Sequence, residues 1–241
     1  MCLDILENLT MDGFCTIDRY LDDRILRTLT AGFELLDEAT LKSTRPDLGV
    51  RGKRGVTFAR RNLLSIEFVR QFIASEPVVL LIDTISPGMV AVRAILFDKT
   101  GDANWTVPWH QDRSIAVATR IDVAGFGPWS KKAGVVHVQP PVSVLEGMVT
   151  LRFSLDACGP DNGPLRTIAA THRSILTATE VVTTVRDHPE SICATKAGGV
   201  VIMRSLILHA SSPAKVTGHR RVLHIEFGPP NLPGDLRWAM A

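Results

Sequence analysis

The stretch MVTLRFSLD, residues 148–156, alternates with the period of a β-strand. Val149, Leu151, Phe153 and Leu155 share one face, and Thr150, Arg152, Ser154 and Asp156 share the other, because successive side chains of a strand point to opposite sides. A strand with one apolar and one richly polar face either turns its polar side to water or lines a wet pocket inside a barrel. Outward from this stretch the same texture recurs from about Met89. The runs VAVRAILF, WTVPWHQD, GVVHVQ, GPLRTIAA, GGVVIM, SLILHA and RVLHIEF are short, rich in β-formers and punctuated by Gly and Pro. Many short strands with frequent turns predict a sandwich or barrel. The part before them, about residues 1–88, reads as helical. Between Leu21 and Ala39, residues Ile25, Leu26, Leu29, Phe33 and Leu36 recur at helical spacing, with Asp22 or Asp23 as cap. The segment from Arg45 to Arg61 sets Gly49, Gly52 and Gly55 among Arg51, Lys53, Arg54, Arg60 and Arg61. It reads as a solvated loop or as a basic flap near a site for an anionic ligand.

With 241 residues, 45% of them apolar, the chain suits a single domain over residues 1–241, with its β core at about 89–228. A net charge of +2 gives no case for nucleic acid or an anionic membrane as partner. The four cysteines are scattered and form no CxxC pair, which argues against a zinc knuckle or a thioredoxin-like centre. The N-terminal MCLDILENLT carries acids and lacks a basic, then apolar, leader pattern. No apolar run is long enough to span a bilayer. The expectation is a soluble, cytoplasmic protein with reduced thiols.

Chemistry concentrates in two places. In WHQD, His110 and Asp112 are two apart and point to the same side of a strand. An imidazole and a carboxylate can thus meet one metal, and two His with one carboxylate form the facial triad of non-haem Fe(II) oxygenases. An HxD pair alone arises often by chance. The stretch LILHASSPAKVTGHRRVLHIEF, residues 206–227, strengthens it. His209 ends a strand-like run, a turn follows, and Arg220 opens the next run. A His followed on a neighbouring strand by an Arg suits a dicarboxylate cosubstrate, gripped near the metal at one end and clamped by the guanidinium at the other. Ser211 can add a hydroxyl donor.

WHQD, DNGPLRTIAATHR and HASSPAKVTGHRR together resemble the phytanoyl-CoA dioxygenase family of Fe(II)/2-oxoglutarate oxygenases. The resemblance implies a mainly β chain with flanking helices, folded as a double-stranded β-helix (a jelly-roll, cupin-like barrel). It implies Fe(II), 2-oxoglutarate and O₂, with release of succinate and CO₂. Position by position, His110, Asp112 and His209 would hold the metal, and Arg220 with Ser211 would bind the distal carboxylate of the cosubstrate. Asp112 fills the position that Gly or Ala takes in related halogenases, so oxygenation is expected and not halogenation. One departure is visible: the family often has Pro-Gly-Ser-His where this chain has Ala169, Ala170, Thr171 and His172. That turn must form without Pro or Gly, and His172 reads as a structural residue orienting it.

If the polar face of MVTLRFSLD points inward, Thr150 is a candidate donor to 2-oxoglutarate. Arg152 then contacts the cosubstrate or an acidic substrate, or pairs with Asp156 as scaffold. Arg93 is a similar candidate, since a buried Arg needs a partner. Gln139 is a further candidate for the cosubstrate or substrate; His224 reads as packing or as a neighbour of the site. The Gly- and Pro-rich segment Arg120–Pro141 is expected to lack long regular structure and to be a lid that helps choose the substrate, with Trp129 as a contact and Lys131 and Lys132 offering charge; the alternative is a loop that packs on the barrel exterior. The leading reading is an oxygenase that hydroxylates a small organic metabolite, with oligomeric state left open. The alternatives are a non-catalytic metal- or ligand-binding jelly-roll protein, and a metal-dependent hydrolase or isomerase on a similar barrel.

Overall fold

The computed structural model describes residues 2–42, 48, 51–53, 56–132, 134–215 and 218–240. Much of the basic segment read as a loop or flap falls outside this set. What lies inside it includes two strands, β2 (Arg51–Lys53) and β3 (Val56–Arg60), which pair antiparallel.

The fold is a double-stranded β-helix built from two main sheets. The larger runs in the order β1 (Phe14–Ile17), β12 (Val200–Arg204), β9 (Val149–Ser154), β14 (Arg220–Gly228), β4 (Val90–Lys99), β3, β2. The second holds β11 (Ser191–Cys193), β10 (Leu165–Ile168), β13 (Leu208–Ser211) and β5 (Val107–His110). The region before residue 89 is therefore not only helical: it lends three strands to the larger sheet, one at one edge and two at the other. All pairings are antiparallel, so each strand alternates cleanly between faces.

The larger sheet sorts its two faces as the alternation in β9 requires. Val149, Leu151 and Phe153 join the main apolar core with Val200, Ile202, Leu223 and Ile225. Helices α1 (Cys2–Met11), α2 (Asp23–Lys42), α3 (Glu67–Ile73) and α4 (Glu76–Ile85) contribute Leu9, Phe33, Phe72 and Leu81 to the same core. Phe153 meets Phe72 edge-on, centroids 5.0 Å apart; burial of such a ring stabilises by roughly 1.5–3 kcal/mol. Helix α2 begins where Asp22 Oδ1 accepts from the Ile25 N–H at 2.7 Å, which caps the first turn. The polar face of β9 is buried as well, against the second sheet, and there it borders a cavity.

Two local features bear on the sequence reading. The segment 120–141 is not wholly irregular: β7 (Trp129–Lys132) and β8 (Val135–Val138) form a hairpin that pairs with β6 (Ile115–Val117) in a small third sheet. The turn at Ala169–His172 forms with Ala170 at φ 61°, in the left-handed region, a strain of about 1–2 kcal/mol for a residue with a Cβ. The Ala170 N–H donates to Asp12 O at 2.9 Å, and the His172 ring packs on Gly13 at φ 84°.

A Cβ at position 13 would stand 2.3 Å from His172 Nδ1. Gly13→Ala combines that clash with left-handed strain, and it should lower unfolding free energy by about 2–4 kcal/mol in urea denaturation. A loss under about 0.5 kcal/mol would mean that the His172 ring yields freely.

Candidate metal centre

The register of two strands assembles the site. In the β13–β5 pair, His209 lies directly opposite His110, and the ring centroids are 4.2 Å apart. Asp112 follows β5 by two residues. His110 Nε2 is 3.8 Å from Asp112 Oδ1, and His209 Nε2 is 3.7 Å from Asp112 Oδ2. One ligand atom from each of the three lies within 4.8 Å of the others.

Both imidazoles are set in one tautomer. His110 Nδ1 sits 2.8 Å from Pro108 O and His209 Nδ1 sits 2.9 Å from Ile207 O. A carbonyl only accepts, so each Nδ1 carries the proton and each Nε2 presents its lone pair to the shared point. Burial pulls His209 down to about 4, only partly offset by Asp112, which favours the neutral ligand form. Burial opposes charge on Asp112, but His209, His224, His110 and Arg93 outweigh it and hold the carboxyl down at about 2. Two neutral imidazoles and a carboxylate make a donor set that fits a divalent metal with nitrogen and oxygen preference.

Gln111, between the two ligands of the motif, points the opposite way and is buried. Its Nε2 donates to Ser174 O at 2.8 Å, Leu206 O at 2.7 Å and Thr171 O at 3.2 Å. Its Oε1 accepts from the Leu176 N–H at 2.8 Å. The amide thus ties β5 to the loop that contains His172. Sequence reading passed over this residue, although strand alternation had already placed it on the opposite face from the ligands.

The metal site opens into a cavity of about 330 Å³ between the two sheets. Arg93, Arg152, Arg220 and Ser211 line it with the three candidate ligand residues. Arg220 is 2% exposed, meets no carboxylate within 4 Å among the described residues, and leaves Nε without a partner. A buried guanidinium in that position demands an anion. Beside it, Lys99 pairs in register with Arg220 across β4 and β14 and is fully buried. Lys99 Nζ donates to Ser211 Oγ at 3.0 Å and to Ser212 O at 2.5 Å. Burial, then Arg220, pull Lys99 down to about 7. Lys99 was missed in the sequence, where the alternation of Arg93, Ile95, Phe97 and Lys99 along one strand held the signal.

Arg152 does not pair with Asp156, which is engaged by Arg221 on the opposite face at 2.8 Å. Arg152 Nη1 instead donates to His224 Nδ1 at 2.8 Å, and His224 Nε2 donates to Glu226 Oε1 at 3.2 Å. Arg93 Nη1 completes the row with a 2.9 Å bond to the same carboxylate oxygen. Arg and carboxylate fix the direction at each end, so His224 is a neutral relay with its proton on Nε2. Thr150, Gln139 and Trp129 do not line the cavity. Thr150 is buried opposite Glu226 with its hydroxyl unpartnered. Gln139 exchanges backbone hydrogen bonds with Gly127 and Pro128. Trp129 packs on a separate apolar cluster beneath the Arg120 guanidinium, 5.4 Å from its ring.

The phytanoyl-CoA dioxygenase profile matches residues 9–222, a span that holds all three candidate ligands and Arg220. The chain belongs to the phytanoyl-CoA dioxygenase family. It is accordingly a non-haem iron enzyme that depends on 2-oxoglutarate. No curated protein matches it. Among solved structures it is similar to AviO1 from Streptomyces viridochromogenes Tue57, 23% identical, covering 97% of each chain with a TM-score of 0.71. EctD from S. alaskensis, solved with 2-oxoglutarate and 5-hydroxyectoine, is 13% identical, with 98% of this chain and 82% of that one covered and a TM-score of 0.72. SnoK, an alpha-ketoglutarate-dependent carbocyclase from nogalamycin biosynthesis, is 12% identical, with 95% and 84% covered and a TM-score of 0.69. At these identities the likeness is one of fold. No helix among the described residues is long and apolar enough to cross a membrane.

Gln111→Leu removes four hydrogen bonds, one of them fully buried, and frees the motif from its loop. The substitution should weaken Mn(II) or Fe(II) binding by about 10–100-fold in anaerobic titration. Unchanged affinity in a folded variant would show that β-pairing alone holds the ligands.

Proposed function

We propose that this family member is a dioxygenase that hydroxylates a small organic metabolite, with His110, Asp112 and His209 as its Fe(II) ligands. One observation carries the reading. Two imidazoles with Nδ1 held by backbone carbonyls, and one ionised carboxylate, converge in the cavity where Arg220 is buried without a carboxylate partner. The metal end and the far end of a short dicarboxylate both find what they need there.

When bound, iron with 2-oxoglutarate and O₂ supplies the oxidising power, and the cosubstrate leaves as succinate and CO₂. The chain's own residues place and shield. Arg220 takes the distal carboxylate of 2-oxoglutarate in a charge-assisted pair. Ser211 accepts from Lys99, so its own hydroxyl proton is left to donate to the same carboxylate. Arg152, aimed by His224 and Glu226, lines the same cavity and can meet a second anionic oxygen. The apolar walls Ile95, Phe97, Val107 and Leu165 keep bulk water from the reacting carbon.

The anaerobically iron-loaded protein should release succinate from 2-oxoglutarate only when O₂ is admitted, and a screen of metabolites for faster release should identify the substrate. Asp112→Ala should abolish the release. Arg220→Ala should raise the KM for 2-oxoglutarate by about 10–100-fold, the loss of one charge-assisted pair. Iron-independent turnover of another substrate, or a KM unchanged in Arg220→Ala, would reject the assignment.

Lys99 adds a pH dependence. Its pKa of about 7 in the free protein should rise when a dianion arrives beside it. Between the free and bound pKa values binding takes up a proton, so affinity for 2-oxoglutarate should fall as pH rises above about 7. Calorimetry in buffers of different ionisation enthalpy should register proton uptake at pH 8, and Lys99→Met should remove it.

A further inference from the structure

A carboxylate oxygen in the cavity is left without a donor. Glu226 is 6% exposed and lines the cavity together with the candidate metal ligands. It lies in register with Arg93 on β4 and with Thr150 on β9. Both hydrogen bonds that it receives land on Oε1, at 2.9 Å from Arg93 Nη1 and at 3.2 Å from His224 Nε2. Oε2 accepts none among the described residues, and it is not sealed off as the orphaned Thr150 hydroxyl is. Its lone pairs therefore face the cavity. Burial opposes charge on this carboxyl, but Arg93 and the bond from His224 outweigh it and hold the group ionised, below the ordinary carboxylate value. An ionised oxygen removed from bulk water and given no donor costs free energy, and a ligand proton on it removes that cost.

Arg93 supplies the complementary half. Its Nη1 is used on Glu226, and its other N–H groups have no partner among the described residues. The side chain lines the cavity and a small recess that continues from it. An acceptor oxygen and a guanidinium edge thus stand side by side as a directly opposed cross-strand pair. The pair is neutral as a unit, which selects what it can hold. An ammonium would face Arg93 and Arg152, and a carboxylate or phosphate would face Oε2. Adjacent hydroxyls suit both halves, because each hydroxyl donates and accepts. The rows Ile95–His224 and Phe97–Val222 separate this pair from Lys99 and Arg220 along β4 and β14. Arg220 and Glu226 are thereby about 20 Å apart along the backbone, so a short dicarboxylate held at Arg220 leaves the Glu226 end to a second molecule. Ile95 and Phe97 line the cavity between the two ends and offer apolar surface to the C–H face of a ring.

We propose that the substrate is a neutral molecule with adjacent hydroxyl groups, a polyol or sugar-like ring, which donates one hydroxyl proton to Glu226 Oε2 and accepts from Arg93 at the neighbouring hydroxyl oxygen. The inference rests on the cosubstrate reading above, because it takes the Arg220 end as filled by 2-oxoglutarate.

The test uses the whole chain loaded with Mn(II) and 2-oxoglutarate, which binds without turnover. The cis vicinal diol of cyclohexane, cyclohexanol and cyclohexylamine are titrated, and the broadening of their proton resonances by Mn(II) reads binding beside the metal. The diol should bind saturably, and about tenfold or more tighter than cyclohexanol, which lacks one of the two hydroxyls. Glu226→Gln keeps an oxygen for Arg93 and His224 and puts an amide nitrogen where Oε2 stands, so an acceptor becomes a donor. Diol affinity should then fall by about tenfold or more, the loss of one hydrogen bond to a charged group; Mn(II) binding and thermal unfolding report that the variant folds. Arg93→Lys keeps the ion pair and loses the flat guanidinium edge, and it should lower diol affinity as well. Four results overturn this inference alone in a wild type that binds 2-oxoglutarate beside Mn(II): no saturable binding of the diol, equal affinity for cyclohexanol, tighter binding of cyclohexylamine, or full diol affinity in a folded Glu226→Gln or Arg93→Lys. Failure of the wild type to bind 2-oxoglutarate sinks the cosubstrate reading and this inference with it.

Discussion

The antiparallel pairing of β13 with β5 is the constraint on which the site depends. It sets His209 opposite His110 and so joins the two halves of the candidate metal centre across the hundred or so residues between them. The pair is short and its register shifts between His209 and Ser211. A slip of either strand by one residue would turn its imidazole to the other face of the sheet and part the pair. Two devices hold it. The ring nitrogens of both histidines are tied to carbonyls two residues back, and the Gln111 amide anchors the strand from behind.

The larger sheet divides its labour by face. Its outer face joins the helices in the main apolar core, and that burial supplies most of the driving force for folding. Its inner face carries Arg93, Lys99, Arg152, Arg220, His224 and Glu226, all of them half-buried or buried. Ionisable groups so placed work against stability unless matched. The Arg152–His224–Glu226–Arg93 row matches itself through directed hydrogen bonds. Lys99 is matched by neutral oxygens and Arg220 meets no carboxylate within 4 Å among the described residues, so the two hold open a demand for an anion, which preorganises the pocket for a charged ligand.

Loops mislead in a characteristic way. Gly125, Gly127, Pro128 and Gly134 punctuate the 120–141 segment and made it read as irregular, yet two short strands form between and beyond them. The hairpin is stabilised by β6, a partner that local sequence does not reveal. Its consequence for the site is also counter to the local reading. Trp129 turns to an apolar cluster outside the cavity, while Lys132, three residues on, reaches in.

By itself the sequence determined the parity of the strands that carry the candidate site, and through parity the shared side of His110 and Asp112 and the sorting of β9 into an apolar and a polar face. It also determined the ligand chemistry, because two imidazoles, a carboxylate and a downstream Arg carry their donor sets wherever they are placed. Tertiary structure alone decided which polar residues meet. Thr150 and Arg152 share a face, yet Arg152 reaches the cavity and Thr150 does not. Lys99 lies beside Arg220, and Asp156 serves Arg221 and not Arg152, because of the registers of β4 and β9 on β14. Alternation is a local property set by the geometry of one chain segment. Register and depth are set by cross-strand partners far away in sequence and by the space that the other sheet leaves, and neither is written in any single stretch.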